Sequence, residues 1–253
     1  MTTDQQTVDS YDNGAKNYTQ EKPKSFYHKY VEKPAMYKLL PDLKGKKVLC
    51  IGCGTGEEVN YLSSLGAEVI GTDLSKGMLI EAKNNFPDLD FRQMDMMRLD
   101  FSKNTFDFVY SSLAFHYTND LENLFAGIYK ILKSGGKLLF STTHPVFDAV
   151  EIFDLNGEQY SVIGKSKNLA TKEIKTIGDY FSEIKRTQDW GNNFIVNVEH
   201  KTISTWINSL IKPGFRILKM VEPKPIEEAK EKYPEKYKEY IKRPGYMIFL
   251  TEK

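Results

Sequence analysis

The chain is poor in the residues that several protein classes depend on. Two cysteines in 253 residues cannot build a disulfide framework, so a reducing compartment is expected. Those two, Cys50 and Cys53, form a single C-x-x-C. The four histidines, His28, His116, His144 and His200, are scattered singly. A zinc site needs two or more further ligands, so no metal is expected. No apolar run approaches the roughly 18 residues of a membrane helix, and the first residues are polar with no apolar signal core. A cytoplasmic chain with no membrane partner is therefore the expectation. Charge of one sign is lacking too: 35 Lys+Arg face 34 Asp+Glu, for a net +1. That balance gives no bulk electrostatic reason to expect nucleic acid or an anionic surface as partner.

What is present suits a folded α/β chain. Hydrophobic residues make up 40%, enough for a sizeable core. Residues 1–45 read as a helical lead-in, dotted with aromatics such as Tyr11 and Tyr18 and broken by Pro23, Pro34 and Pro41. From Lys47 a rhythm starts. Val48 to Ile51 is a short apolar run without alternation, as in a strand buried on both faces. Val59, Leu62 and Leu65 follow at helical spacing, with Gly66 as stop. Further strands are expected at Val69–Asp73, Leu89–Met94, Phe106–Ser112 and Lys137–Thr142. Ser75 can cap one intervening helix. The clearest helix carries Leu121, Leu124, Phe125, Ile128, Ile131 and Leu132 on one face, with Asn119 or Asp120 as cap and Gly135-Gly136 as stop.

Residues 46–144 thus alternate strand and helix, which calls for a mostly parallel sheet covered on both faces. Residues 145–202 break the rhythm and read as an insertion capping the ligand edge of the sheet. Residues 203–253 complete the sheet with a helix and two strands. Within them, residues 222–243 hold seven Lys/Arg and six Glu and read as a solvated helix of mixed charge.

The central signal is Gly52-Cys53-Gly54-Thr55-Gly56, directly after a buried strand and before a helix. Glycines serve where a backbone turns sharply and a ligand approaches it closely. Asp73 lies at the end of the second strand, where an acid can accept two ribose hydroxyls. The dinucleotide fingerprint would put its third glycine at position 57, which is Glu57, and Glu57 and Glu58 at the helix start would repel a pyrophosphate. A dehydrogenase is disfavoured on that ground. The P-loop pattern is absent. A nucleoside ligand without phosphate suits the turn better.

KVLCIGCGTG (47–56) resembles the first motif of class I S-adenosylmethionine-dependent methyltransferases. GTDLSKGML (71–79), DFRQMDM (90–96), FDFVYSSLAFHY (106–117) and LKSGGKLLFSTTHP (132–145) are similar to the next four, in order and spacing. The tail resembles a subgroup of small-molecule enzymes of the broad "type 11" kind. The resemblance implies a Rossmann-like α/β fold with a mostly parallel seven-stranded sheet, helices on both faces and a cap inserted after the fifth strand. It implies S-adenosylmethionine as cofactor and a small-molecule methyl acceptor. Gly52, Cys53, Gly54 and Gly56 would pass along the methionine part, and Asp73 would hold the ribose. Leu74 and Met78 would lie against the adenine, with Asp95 and Met96 at its edge. Ser111, Leu113 and His116 would sit beside the sulfonium, and Tyr18 would close over the cofactor. One position departs from the pattern: the family usually has an acid where this chain has Cys50.

The sulfonium is an activated donor, so aligning the acceptor is the main task. His116 and His144 are candidate bases, each following a strand end that should face the cofactor; a lone histidine is more often a packing or binding residue. Tyr160, Tyr180 and Trp190 are candidates to line the acceptor pocket, against the alternative of a private core for the insertion. The D/N-P-P-Y motif of enzymes that methylate amino groups of nucleic acid is absent; Ser111-Ser112-Leu113-Ala114 stands there. Two other readings remain beside the small-molecule enzyme: a cofactor-binding protein without turnover, to which Cys50 points, and an RNA-modifying methyltransferase, which would need a basic surface beside the cleft.

Overall fold

The computed structural model describes residues 4–155 and 157–253. In chain order it contains α1 (Gln5–Glu21), a π turn (His28–Glu32) running into α2 (Lys33–Tyr37), β1 (Lys47–Ile51), α3 (Glu57–Ser64), β2 (Glu68–Asp73), α4 (Lys76–Asn85), β3 (Asp90–Gln93) and β4 (Phe106–Ser112). Then come α5 (Leu121–Ile131), β5 (Leu132–Thr143) and the short α6 (Pro145–Asp148). The insertion forms β6 (Glu151–Leu155), β7 (Glu158–Val162), β8 (Gly164–Lys167), β9 (Ile174–Ile177), β10 (Lys185–Asp189) and β11 (Ile195–Glu199). The chain closes with α7 (Ile203–Ile211), β12 (Arg216–Val221), α8 (Glu228–Lys232), α9 (Pro234–Tyr240) and β13 (Tyr246–Glu252).

One seven-stranded sheet, in the order β12-β13-β5-β4-β1-β2-β3, organises these elements. The pairs β3-β2, β2-β1, β1-β4 and β4-β5 are parallel, and β13 alone runs antiparallel to both of its neighbours. Successive side chains of a strand point to opposite faces, so β1 feeds two cores. Leu49 and Ile51 join Leu124, Phe125 and Ile128 of α5 and Trp206 and Leu210 of α7 on one face. Val48 and Cys50 join Met36, Val59, Leu62 and Ala82 on the other. The expected helix caps are in place: Asp120 accepts from Asn123 N–H at 3.1 Å, and Ser75 from Met78 N–H at 3.1 Å. The order of strands reverses at β1, and ligands of such sheets bind beyond the carboxyl ends at that point.

Two local expectations are corrected. Gly135-Gly136 does not stop a helix; α5 passes straight into β5, whose pairing with β4 is irregular there, between Phe106 and Phe108. Residues 222–243 are not one solvated helix. They form α8 and α9, and Ala229, Tyr237 and Tyr240 bury against Phe26, Tyr30 and Val31 in a third cluster. Tyrosines spaced among lysines and glutamates supply that apolar face, which a tally of charges does not reveal.

The insertion is three antiparallel hairpins, β6-β7, β8-β9 and β10-β11. α1 lies between the last hairpin and α4. Asn197 N–H donates to Thr7 Oγ1 at 2.9 Å, and Ser10 Oγ donates to the Ile195 carbonyl at 2.6 Å. On its other side Asp12 Oδ1 accepts from Ser75 Oγ at 2.5 Å and from Gly77 N–H at 2.9 Å. The lead-in is thereby fastened across the carboxyl edge of the sheet. Among the described residues no helix is long and apolar enough to cross a membrane.

Candidate functional site

A cavity opens at the carboxyl ends of β1, β2 and β4, beneath α1. Its floor is the turn after β1. Gly52, Gly54 and Gly56 all have positive φ, at +65°, +54° and +88°, where side chains are strained. At Gly52 space also matters, because a Cβ would stand 2.4 Å from that of Ala114. Gly52→Ala is expected to cost about 1–3 kcal/mol and to displace the turn, lowering cofactor affinity; denaturant melts and calorimetry check both.

Asp73 ties the second strand to this turn. Its Oδ2 accepts from Gly54 N–H at 2.8 Å and its Oδ1 from Ser75 N–H at 2.9 Å. Burial raises its carboxyl above the usual value, and the backbone donors at Ser75 and Gly54 oppose that. Leu74, Met78, Met94 and Met96 make the apolar side of the cavity. Asp95 also borders it: Oδ1 accepts from Met97 N–H at 2.9 Å, while Oδ2 is buried with no partner. A buried orphan acceptor is costly and is relieved by a donor on the ligand. Nucleoside chemistry fits this set: a carboxylate with spare lone pairs, an apolar slot and an orphan acceptor at its edge.

The structure brings most of the residues singled out by sequence to this cavity, namely Tyr18, Gly52, Gly54, Asp73, Leu74, Met78, Asp95, Met96 and Leu113. It does not bring Cys53, Gly56, Ser111 or His116 to the lining. Cys53 turns its thiol into the core, and Ser111 is fully buried within β4 while its neighbour Ser112 borders the cavity. Both cysteines are free, and burial raises both thiols well above the ordinary value. Among the described residues no cluster of three or more His, Cys, Asp or Glu could hold a metal.

Tyr11, Lys22, Ser112 and Tyr117 border the cavity without having been singled out for it. Lys22 is buried and lies 3.2 Å from Glu58, which Lys33 also approaches at 3.2 Å; Lys33 reaches Glu57 at 2.5 Å. Burial alone would raise the Glu58 carboxyl, but Lys22 and Lys33 outweigh it and hold the pKa down at about 2. The two glutamates are therefore neutralised by lysines from the lead-in, and do not present a bare negative patch at the start of α3.

This network lies within electrostatic reach of Cys50, whose thiol is raised by burial first and then by Glu58. An acid at position 50 would face a carboxylate already in place. Cys50→Asp is expected to destabilise the fold by about 2 kcal/mol or more without gain in cofactor affinity; a rise in affinity would contradict this.

A second buried carboxyl, Glu32 of the π turn, accepts from Ser112 Oγ at 2.9 Å and Ser141 Oγ at 2.6 Å. Ser141 in turn accepts the Leu113 N–H, at 3.1 Å to Oγ and 3.2 Å to its carbonyl. Leu113 has φ +52°, a strained value for a branched residue that persists only where its surroundings enforce it. The clamp Glu32–Ser141–Leu113 enforces it here.

Leu113 matters because it borders two cavities. The second, of about 530 Å³, shares Tyr11, Tyr18, Lys22, Leu113 and Tyr117 with the first. Its walls add Tyr27, Tyr240 and Tyr246, with Phe147 and Trp190. Tyr11 OH lies 2.7 Å from Tyr117 OH across the junction. Trp190 stacks on Phe194 at 5.3 Å and meets Tyr11 edge-on at 6.3 Å. His28 and His116 also border this space. Burial pushes both imidazoles down to about 3, so both are neutral at pH 7.

The remaining candidates lie elsewhere. His144 borders none of these cavities; its Nδ1 accepts from Val146 N–H at 3.2 Å as the cap of α6, and its Nε2 lies 2.9 Å from Glu222. Burial lowers its pKa against the pull of Glu222. Tyr180 turns its hydroxyl to Ile203 N–H at 3.2 Å, at the start of α7. Tyr160 is exposed on β7 and bonds to Glu158. These three have structural partners close by in sequence or at an element end.

Residues 49–140 match a family model described as a methyltransferase domain. A solved S-adenosylmethionine dependent methyltransferase from Mesorhizobium loti superposes with a TM-score of 0.72 at 30% identity, over 87% of this chain and 96% of that one. An uncharacterized protein of Haemophilus influenzae is 32% identical over 88% of this chain and 87% of its own. A demethylmenaquinone methyltransferase of Renibacterium salmoninarum is 35% identical over 41% of this chain and 44% of its own.

Proposed function

Since the chain belongs to the S-adenosylmethionine-dependent methyltransferases, we propose that it methylates a small molecule held in the aromatic cavity behind Leu113. The observation that carries this reading is the junction: the cavity bordered by Asp73, Asp95 and the glycine turn and the aromatic one meet at Leu113 and Tyr117. When bound, S-adenosylmethionine supplies a methyl group already activated on a sulfonium.

The chain's own residues then have four tasks. Asp73 accepts the ribose hydroxyls, and Asp95 accepts from the adenine amine between Met78, Leu74 and Met96. Gly52 and Gly54 let the backbone approach the methionine part. Leu113, clamped through Glu32, fixes the wall against which donor and acceptor align, and alignment is the larger share of catalysis when the donor is preactivated. Tyr11, Tyr18 and Trp190 close the space and exclude water. The volume of the aromatic cavity lies within the range of about 300–1,000 Å³ usual for small-molecule sites.

An RNA substrate is the competing reading. It calls for basic side chains beside the cleft, and Lys22, among the described residues the one cation bordering the two cavities, is already paired with Glu58. Incubating the full chain with methyl-labelled S-adenosylmethionine and a cell extract split into small-molecule, RNA and protein fractions tests the point. Label in the small-molecule fraction is expected; label in RNA alone would refute the proposal.

A further inference from the structure

The aromatic cavity is short of usable charge. Of the residues that border it, Glu21 and Lys22 are the charged ones. Glu21 is exposed at the rim and engaged with Lys24 at 3.1 Å. Lys22 is held by Glu58, with its ammonium 5.6 Å from the centre of the Tyr18 ring. Among the described residues no unpaired cation borders the cavity, so an anionic ligand losing its water there would go uncompensated. A cationic ligand would find π faces, but Tyr18 already carries the Lys22 ammonium, Tyr27 that of Lys236, and Phe147 and Tyr240 the Arg243 guanidinium, and among the described residues the one carboxylate at the border, Glu21, is exposed at the rim. The walls suit a flat, uncharged ligand that stacks on rings such as Tyr117, Trp190 and Phe147.

An uncharged hydroxyl that accepts a methyl group must shed its proton. An aliphatic amine is protonated at neutral pH, whereas a hydroxyl on an aromatic ring is neutral and keeps its lone pairs. Two groups that can take that proton border the cavity, His28 and His116. His116 Nδ1 sits 3.4 Å from Thr142 Oγ1, inside the fold. His28 differs. It opens the π turn of the lead-in, and its Nδ1 is buried with no partner. Single π turns inside helices recur at functional sites.

We propose that the second cavity takes an uncharged aromatic hydroxyl compound and that His28 accepts its proton during methyl transfer. The proposal rests on the methyl-transfer reading above. A lone pair of the hydroxyl oxygen forms the new carbon–oxygen bond, the methyl–sulfur bond breaks with its electron pair left on sulfur, and the O–H proton passes to the His28 imidazole. A protonated aryl ether is a far stronger acid than an imidazolium whose pKa is about 3, so the buried imidazole remains an adequate acceptor.

Three probes with one ring system and different charge test the class: 2-naphthol, 2-naphthoate and 2-naphthylmethylammonium. They are titrated calorimetrically into the full chain loaded with S-adenosylhomocysteine. 2-Naphthol is expected to bind about tenfold or more tighter than either ion, and the chain loaded with S-adenosylmethionine is expected to yield 2-methoxynaphthalene. Equal or tighter binding of an ion, or no binding of 2-naphthol, overturns the ligand class. His28→Gln is expected to lower kcat for 2-naphthol about tenfold or more, with its affinity nearly unchanged. An unchanged kcat overturns the role of His28. His28→Asn is the second variant should the first fold poorly. Failure of S-adenosylhomocysteine itself to bind would instead strike the methyl-transfer reading, so the two failures are distinguishable.

Discussion

Asp73→Ala is expected to weaken S-adenosylmethionine binding by about a hundredfold or more, equivalent to roughly 3 kcal/mol. Each carboxylate oxygen has about two acceptor sites. One site on each is filled by a backbone donor, Gly54 N–H at Oδ2 and Ser75 N–H at Oδ1. The other two are left for a pair of vicinal hydroxyls, and hydrogen bonds to a charged acceptor contribute about 1.5–3 kcal/mol each. Removal also frees the glycine turn, whose positive-φ residues have few other restraints. Asp73→Asn should lose less but still substantially, since the NH2 that replaces one oxygen cannot accept from the backbone N–H and the hydroxyl on that side. Calorimetric titration checks the series, with thermal melts to show that the variants fold. Affinity within about threefold of the parent would remove Asp73 from the site.

The second large effect concerns stability. Glu58 has its carboxyl held at about 2, against an ordinary 4.5. Because the folded value is the lower one, the contribution is fully present above pH 4.5 and is lost as pH falls through about 2. The gap corresponds to about 3 kcal/mol. Glu58→Gln should therefore lower Tm at pH 7 by roughly 6–10 °C for a chain of this size, leaving Lys22 buried without its partner. The difference between parent and variant should shrink between pH 4.5 and 2. Equal stability at pH 7, or a difference that does not change with pH, would show that Lys22 and Lys33 do not restrain this group.

The sheet was legible in the sequence because its strands are short apolar runs and its helices carry one apolar face. α5 shows this best, with Leu121, Leu124, Phe125 and Ile128 all buried. The hairpins of 151–199 were not legible, since segments such as Gly164–Lys167 are exposed along their length and carry no alternation to read. At the site, the residues that follow strand ends were found by motif: Gly52, Asp73, Asp95 and Leu113. Of those that reach the cavities from far away in sequence, Tyr18 and Trp190 were singled out and others were missed. Lys22 sits in a run, Glu21-Lys22-Pro23-Lys24, that reads as solvent-facing, and only the fold places Glu58 beside it. Glu32 was invisible for the same reason: its partners Ser112 and Ser141 lie 80 and 109 residues away. His28 and Tyr117 carried no local signal beyond their residue type.

The most direct test is a crystal structure of the chain with S-adenosylhomocysteine. The account predicts both ribose hydroxyls on the Asp73 carboxylate, the adenine amine at Asp95, and the sulfur directed past Leu113 toward the ring of Tyr117. A ribose bound away from Asp73, or a sulfur facing away from the aromatic cavity, would contradict it.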